Sequence, residues 1–124
     1  MGKRQQKILI IDIKNESELF AEAKELFVRL DKNLPVKGPV YRLYFENLVT
    51  LWRTLTPKRT ELMQLLRKQG PMSIRKLSIK LKRDYKNVHT DIQELTAVDL
   101  IRQIKDDLFE VPWDIIDLKI QLAA

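Results

Sequence analysis

The sequence predicts an α+β fold in which three consecutive helices run into a β-hairpin, with further strands near both ends of the chain. Three observations carry this. Apolar residues recur at helical spacing in three successive segments between Thr56 and Leu95, each preceded by a residue suited to an N-cap. Two short runs around Ile101 and Phe109 flank a polar turn. Within Lys7–Ile13 the run Ile8–Ile11 is continuously apolar, and Ile116, Leu118, Ile120 and Leu122 alternate with polar residues, as strands do.

In chain order, the first strand is apolar on both faces, which predicts a covered or interface strand. Asn15 with Glu18 three residues on is a capping box, opening a helix. Leu19, Ala23, Leu26 and Leu30, with Phe20 and Phe27 alongside, give that helix a wide apolar stripe. The loop Leu34-Pro35-Val36-Lys37-Gly38-Pro39 is rich in Pro and Gly. Tyr41–Phe45 alternates as a strand, and Leu48, Leu51, Trp52 and Leu55 recur at helical spacing. These assignments predict a strand–helix extension over residues 1–53, for dimerisation or partner binding. A second domain carrying a C-terminal strand follows over 54–124.

Thr56 caps the next helix, with Pro57 at its first position, and Gly70-Pro71 ends it after Leu62, Met63, Leu65 and Leu66. Ser73 caps a shorter helix whose apolar face holds Ile74, Leu77, Ser78 and Leu81. Lys82-Arg83 make the turn and Asp84 is the next N-cap, the tight spacing of a helix-turn-helix. The third helix carries Val88, Ile92 and Leu95 on one stripe. A hairpin from Leu100–Ile104 to Phe109–Val111 completes a winged helix-turn-helix. The alternative is an unrelated small α+β domain, and agreement of four consecutive elements favours the first. Asp99 stands where such folds commonly place glycine, and Asp tolerates a left-handed backbone better than most residues.

Three motifs stand out, Thr56-Pro57-Lys58-Arg59, Asp84-Tyr85-Lys86-Asn87-Val88-His89 and Val111-Pro112-Trp113-Asp114. With them, residues 54 to 122 resemble a family of small prokaryotic regulators related to MarR. The resemblance implies a winged-helix transcriptional regulator, and some members are similar to antitoxins encoded beside a small toxin.

Charge is concentrated on the same segment. Between Leu51 and His89 there are eleven basic side chains and two acidic ones, a surplus of nine in a chain whose net charge is +6. A one-sign surface of this kind displaces counterions from a phosphate backbone, whereas an ordinary solvated face mixes signs. The absence of cysteine excludes disulfides and thiolate metal sites and fits a cytoplasmic protein. No run approaches the length of a membrane span, no secretory segment opens the chain, and Gln6 stands where a myristoylation signal needs Ser or Thr.

The front of the third helix offers Lys86, Asn87, His89, Thr90 and Gln93, which match the donors and acceptors of base edges in a major groove. Arg75, Lys76, Lys80, Lys82, Arg83 and Tyr85 are the candidate phosphate contacts. An ordinary surface helix would also be polar outside, and the neighbouring elements decide for recognition. The hairpin tip, Lys105-Asp106-Asp107, is acidic, so beyond Arg102 or Lys105 it contributes little. With His89 the single histidine, three scattered glycines and few serines, catalytic constellations find no support. No metal or cofactor is expected. Trp52 and Trp113 read as core residues, and Asp12, Glu16 and Glu18 as capping groups.

Unpaired strands need a cover. A homodimer packing the terminal strands and first helix across a two-fold axis would bury Ile8, Ile10, Leu19, Phe20, Leu26, Phe27, Leu30, Ile116, Leu118 and Ile120. Otherwise the two strands pair within one chain. The function expected is a sequence-specific binder of double-stranded DNA, a dimeric autorepressor. The second reading is an antitoxin whose N-terminal segment binds a small protein toxin. A third, with the fold used for protein or RNA contacts alone, fits the basic surplus less well.

Overall fold

The computed structural model describes residues 6–35 and 40–123, so part of the expected loop at 34–39 lies outside the described residues. Within them the fold is α+β, with five helices and five strands. The chain divides into two compact units, one holding Ile8–Leu51 with Ile115–Ala124, the other Trp52–Asp114 with the segment before Ile8.

The first unit is built on a parallel sheet. Strand β1 (Ile8–Ile13) lies between β2 (Tyr41–Phe45) and β5 (Ile115–Leu118), and both pairings are parallel, in the registers Ile11↔Leu43 and Ile11↔Leu118. Helix α1 (Glu16–Asp31) connects β1 to β2 and starts with the expected capping box, Asn15 and Glu18 each bonding the other's backbone N–H. Period-two alternation puts Leu9 and Ile11, both buried, on one face of β1. Ile8 and Ile10 share the other face, Ile8 exposed and Ile10 half-buried, so β1 is covered along its edges and on one face only. Glu22 of α1 accepts from Lys14 Nζ at 2.9 Å and from the Tyr44 hydroxyl at 3.2 Å. These bonds hold the Glu22 carboxyl below its ordinary range, chiefly through Lys14, and raise the Lys14 ammonium through the same bond. Burial, then the Glu22 charge, raises Tyr44.

Two expectations are corrected here. The terminal strands pair with each other inside one chain and not across a dimer, and β5, assigned from sequence to the second domain, completes the sheet of the first unit. The alternation from Ile116 to Leu122 also overstates the strand. Regular pairing ends at Leu118, leaving Ile120 half-buried outside it and Leu122 fully solvated.

Helix α2 (Leu48–Thr54) follows β2, with Asn47 accepting from the N–H and hydroxyl of Thr50. Leu51 is buried, but Trp52 is half-exposed and not the core residue expected.

The second unit packs α3 (Pro57–Gln69), α4 (Ile74–Leu81) and α5 (Tyr85–Ala97) with the antiparallel hairpin β3 (Arg102–Lys105) and β4 (Leu108–Glu110). Thr56 and Ser73 cap α3 and α4 as expected, through Arg59 N–H and Lys76 N–H. Leu62, Leu66, Leu77, Val88, Ile92, Leu95 and Leu100 are fully buried. Met72, between α3 and α4, exchanges backbone bonds of 3.1 and 3.0 Å with Phe109, tying β4 to the helices.

After α5 the chain turns through Asp99 at φ 63°, the left-handed conformation foreseen for this position. The Trp113 indole donates to the Asp99 carbonyl at 3.2 Å and lies beneath the Lys7 ammonium, 5.5 Å from the ring centre. Among the described residues, no helix is long and apolar enough to cross a membrane.

Candidate nucleic-acid interface

The site is assembled by the turn between α4 and α5. Ile74, Leu77 and Ser78 are buried, so Arg75, Lys76, Ile79 and Lys80 occupy the outer side of α4. Lys82 ends the helix in the left-handed conformation at φ 54°, its N–H bonded to Ile79 O, while Arg83 N–H bonds Ser78 O. Asp84 occupies the cap position of α5, but its side chain makes no capping bond, contrary to expectation. Its carbonyl still accepts from Val88 N–H.

Helix α5 is divided lengthwise. Val88, Ile92 and Leu95 are fully buried, and Lys86, Asn87, His89, Thr90 and Gln93 are all exposed. The Thr90 hydroxyl donates to Lys86 O at 3.1 Å, which leaves it an acceptor to outside groups. Tyr85 and His89, one turn apart, bring their rings to 6.0 Å between centres. The outer face therefore presents an ammonium, an amide from Asn87, an imidazole and an amide from Gln93 in two turns.

What fixes the helix was missed in the sequence. Asp91 lies in the apolar stripe, 9% exposed, where an unpaired carboxylate would be costly. It accepts from Arg59 Nε at 2.9 Å and Arg83 Nη2 at 2.7 Å. Arg59, itself buried, extends the network to Glu94 and to the carbonyls of Arg53 and Thr54 at the end of α2. Burial alone would lower the Arg59 pKa, but the bonds to Glu94 and Asp91 outweigh it and raise it. Nη1 of Arg83 is buried without a hydrogen-bond partner among the described residues, and Asp91 reaches that guanidinium through Nη2. The signal available in the sequence was an acid at i+3 from Val88, inside the buried stripe.

This network corrects the list of phosphate contacts. Arg83 faces inward, whereas Arg75, Lys76, Lys80, Lys82 and Tyr85 are exposed. Arg59 and Arg67 also leave the pool of solvated charge, Arg67 by bonding Asp114 and the Val111 carbonyl. On α4, the turn and the start of α5, the five basic side chains of Arg75, Lys76, Lys80, Lys82 and Lys86 stay exposed without an ion pair among the described residues, as do Arg53, Lys58 and Lys68 earlier in the basic segment. On the hairpin, Arg102 is held by Glu110 at 2.6 Å, leaving Lys105 beside Asp106 and Asp107.

The residues expected at an interface are unevenly placed. Phe20 and Phe27 are each 73% exposed, Leu26, Leu30 and Ile8 less so, and Leu118 is at the margin. Ile10, Leu19, Ile116 and Ile120 are half-buried within the chain. No group of three or more His, Cys, Asp or Glu residues able to hold a metal occurs among the described residues.

Residues 54–118 match the model of the family designated HVO_A0114, a little over half of the chain. The chain belongs to the HVO_A0114 family. The matched segment runs from the end of α2 through β5 and contains all of α3, α4, α5 and the hairpin. Helix α1 and strands β1 and β2 lie outside the HVO_A0114 match. No curated protein and no solved structure matches the chain.

Proposed function

We propose that this chain is a winged helix-turn-helix protein that binds double-stranded DNA and regulates transcription, with α5 as the helix that enters the major groove. The observation that carries the reading is the division of α5, which is apolar and pinned by ion pairs behind and exposed in front at each of the five residues suited to base edges. The five unpaired basic side chains on α4, the turn and the start of α5 supply phosphate contacts beside it. The Met72–Phe109 bridge gives the hairpin a fixed base, as a wing needs. The likeness to MarR-related regulators points the same way.

The test separates base readout from backbone attraction. A preferred duplex is first selected from a random pool, then affinities for it and for unrelated duplex are compared. Asn87→Ala should cost about 1–3 kcal/mol on the selected duplex and little on the other. Lys80→Ala should weaken both alike. Equal losses for Asn87→Ala on both duplexes, or no enrichment of any sequence, would remove the reading.

A further inference from the structure

Helix α1 buries no residue completely, although its sequence is that of an amphipathic helix. Glu22 ties it by hydrogen bonds to Lys14, just after β1, and to Tyr44 of β2, and Leu19 is half-buried. Phe20 and Phe27 stand roughly 140–160° around the helix from Glu22, at about 100° per residue. They project from it, each 73% exposed. With Ala23 and Leu30, also exposed, they recur at 3-4-3 spacing, the a/d pattern of a two-helix seam. The seam belongs to α1 alone, and β1, paired on both sides within the chain, has no free edge to offer a second copy.

We propose that α1 is a self-association helix, two copies of the chain pairing antiparallel through Phe20, Ala23, Phe27 and Leu30. This inference stands apart from DNA binding and does not depend on it. A second copy is the occupant because the seam complements itself. Ala23 lies midway between two large rings and lets two helices approach closely, so that Phe20 settles beside Phe27 of the partner subunit.

Charge sets the direction. Glu16 continues the seam at its N-terminal end, and Glu18 and Glu22 follow with no basic residue in that half. A parallel pair would set Glu16 against its own copy. An antiparallel pair sets it beside the other end of the helix, where Lys32 and Arg29, the latter 3.8 Å from Glu25, stand against Asp31. The two helix dipoles then also oppose each other favourably.

Sedimentation of the full chain tests the proposal. Wild type should run as a dimer of the 14.7 kDa chain at micromolar concentration. Phe20→Glu with Phe27→Glu should run as a monomer with unchanged helical circular dichroism, and Val28→Glu, off the seam, should remain a dimer. Because the chain has no cysteine, orientation is read from introduced ones. A mixture of Glu16→Cys and Asp31→Cys proteins, oxidised gently, should give the mixed 16–31 disulfide. A wild type that stays monomeric at about 100 μM, a scale far above a micromolar dissociation constant, overturns the proposal. So does a double-Glu variant that still dimerises while folded. Exclusive 16–16 disulfides overturn the antiparallel arrangement.

Discussion

A carboxylate flanked by Val88, Ile92 and Leu95 is tolerated because two guanidiniums reach it. Replacing Asp91 by alanine removes the group that compensates Arg83 and half of what compensates Arg59. Removing one partner of a buried pair strands the other, so Asp91→Ala should cost about 3 kcal/mol. Urea unfolding should show the midpoint falling with the slope unchanged; a loss under about 0.5 kcal/mol would mean that solvent replaces the carboxylate at little cost. This residue also marks where sequence reading stopped. Asp99 was legible, since the expected fold commonly places a glycine there and Asp tolerates a left-handed backbone better than most residues. Arg59 and Arg83 were counted as surface charge, because burial of an arginine follows from where a distant acid sits, 32 and 8 positions away respectively, and charge counting carries no such distances. The missing cap at Asp84 has the same origin, since cap identity is local while side-chain direction is not.

Helices with strong caps were readable almost to the residue, as Asn15, Thr56 and Ser73 attest. Strand pairing was not. The pattern at Ile116–Leu122 fixes which residues share a face, but the partner strand lies across most of the chain, and alternation is silent on where pairing stops. The outer face of α5 was legible because its apolar stripe assigns the remaining positions by elimination, whereas the bare seam of α1 could not be told from a buried one.

The bond network of α1 leads to a pH test. Glu22 titrates below the ordinary 4.5 when folded, so its contribution is fully present above that pH and disappears as pH falls through the depressed value. Lys14 titrates above 10.5, so its share persists below that pH and is lost above it. Hydrogen exchange of the α1 amides should therefore accelerate in acid beyond the intrinsic trend. In Glu22→Gln that acid limb should vanish. An unchanged limb would place the acid sensitivity in other groups.

At the scale of the whole molecule, the regional surplus of basic residues matters only as far as it is solvated. If the five unpaired basic side chains each neutralise one phosphate, the logarithm of affinity should fall with the logarithm of salt at a slope of roughly −4.5 per protomer, about 500-fold between about 50 and 200 mM. Adding Arg53, Lys58 and Lys68, which are also exposed without an ion pair among the described residues, would predict roughly −7, and counting all eleven roughly −10. Only a slope steeper than roughly −7 needs Arg59, Arg67 or Arg83 at the DNA, so a slope near −10 would contradict the network around Asp91.

The parallel pairing of β1 with β5 has a consequence in time. Ile8 meets Ile115 only after every residue of the helical unit has been made. During synthesis Trp52–Asp114 can close its own core first, from contacts that are mostly short in sequence, while β1 waits with one edge unsatisfied. The last strand therefore acts as a latch on the first. A chain halted at Asp114 would keep its helices and expose the Ile8–Ile13 edge, a ready template for strands of other molecules.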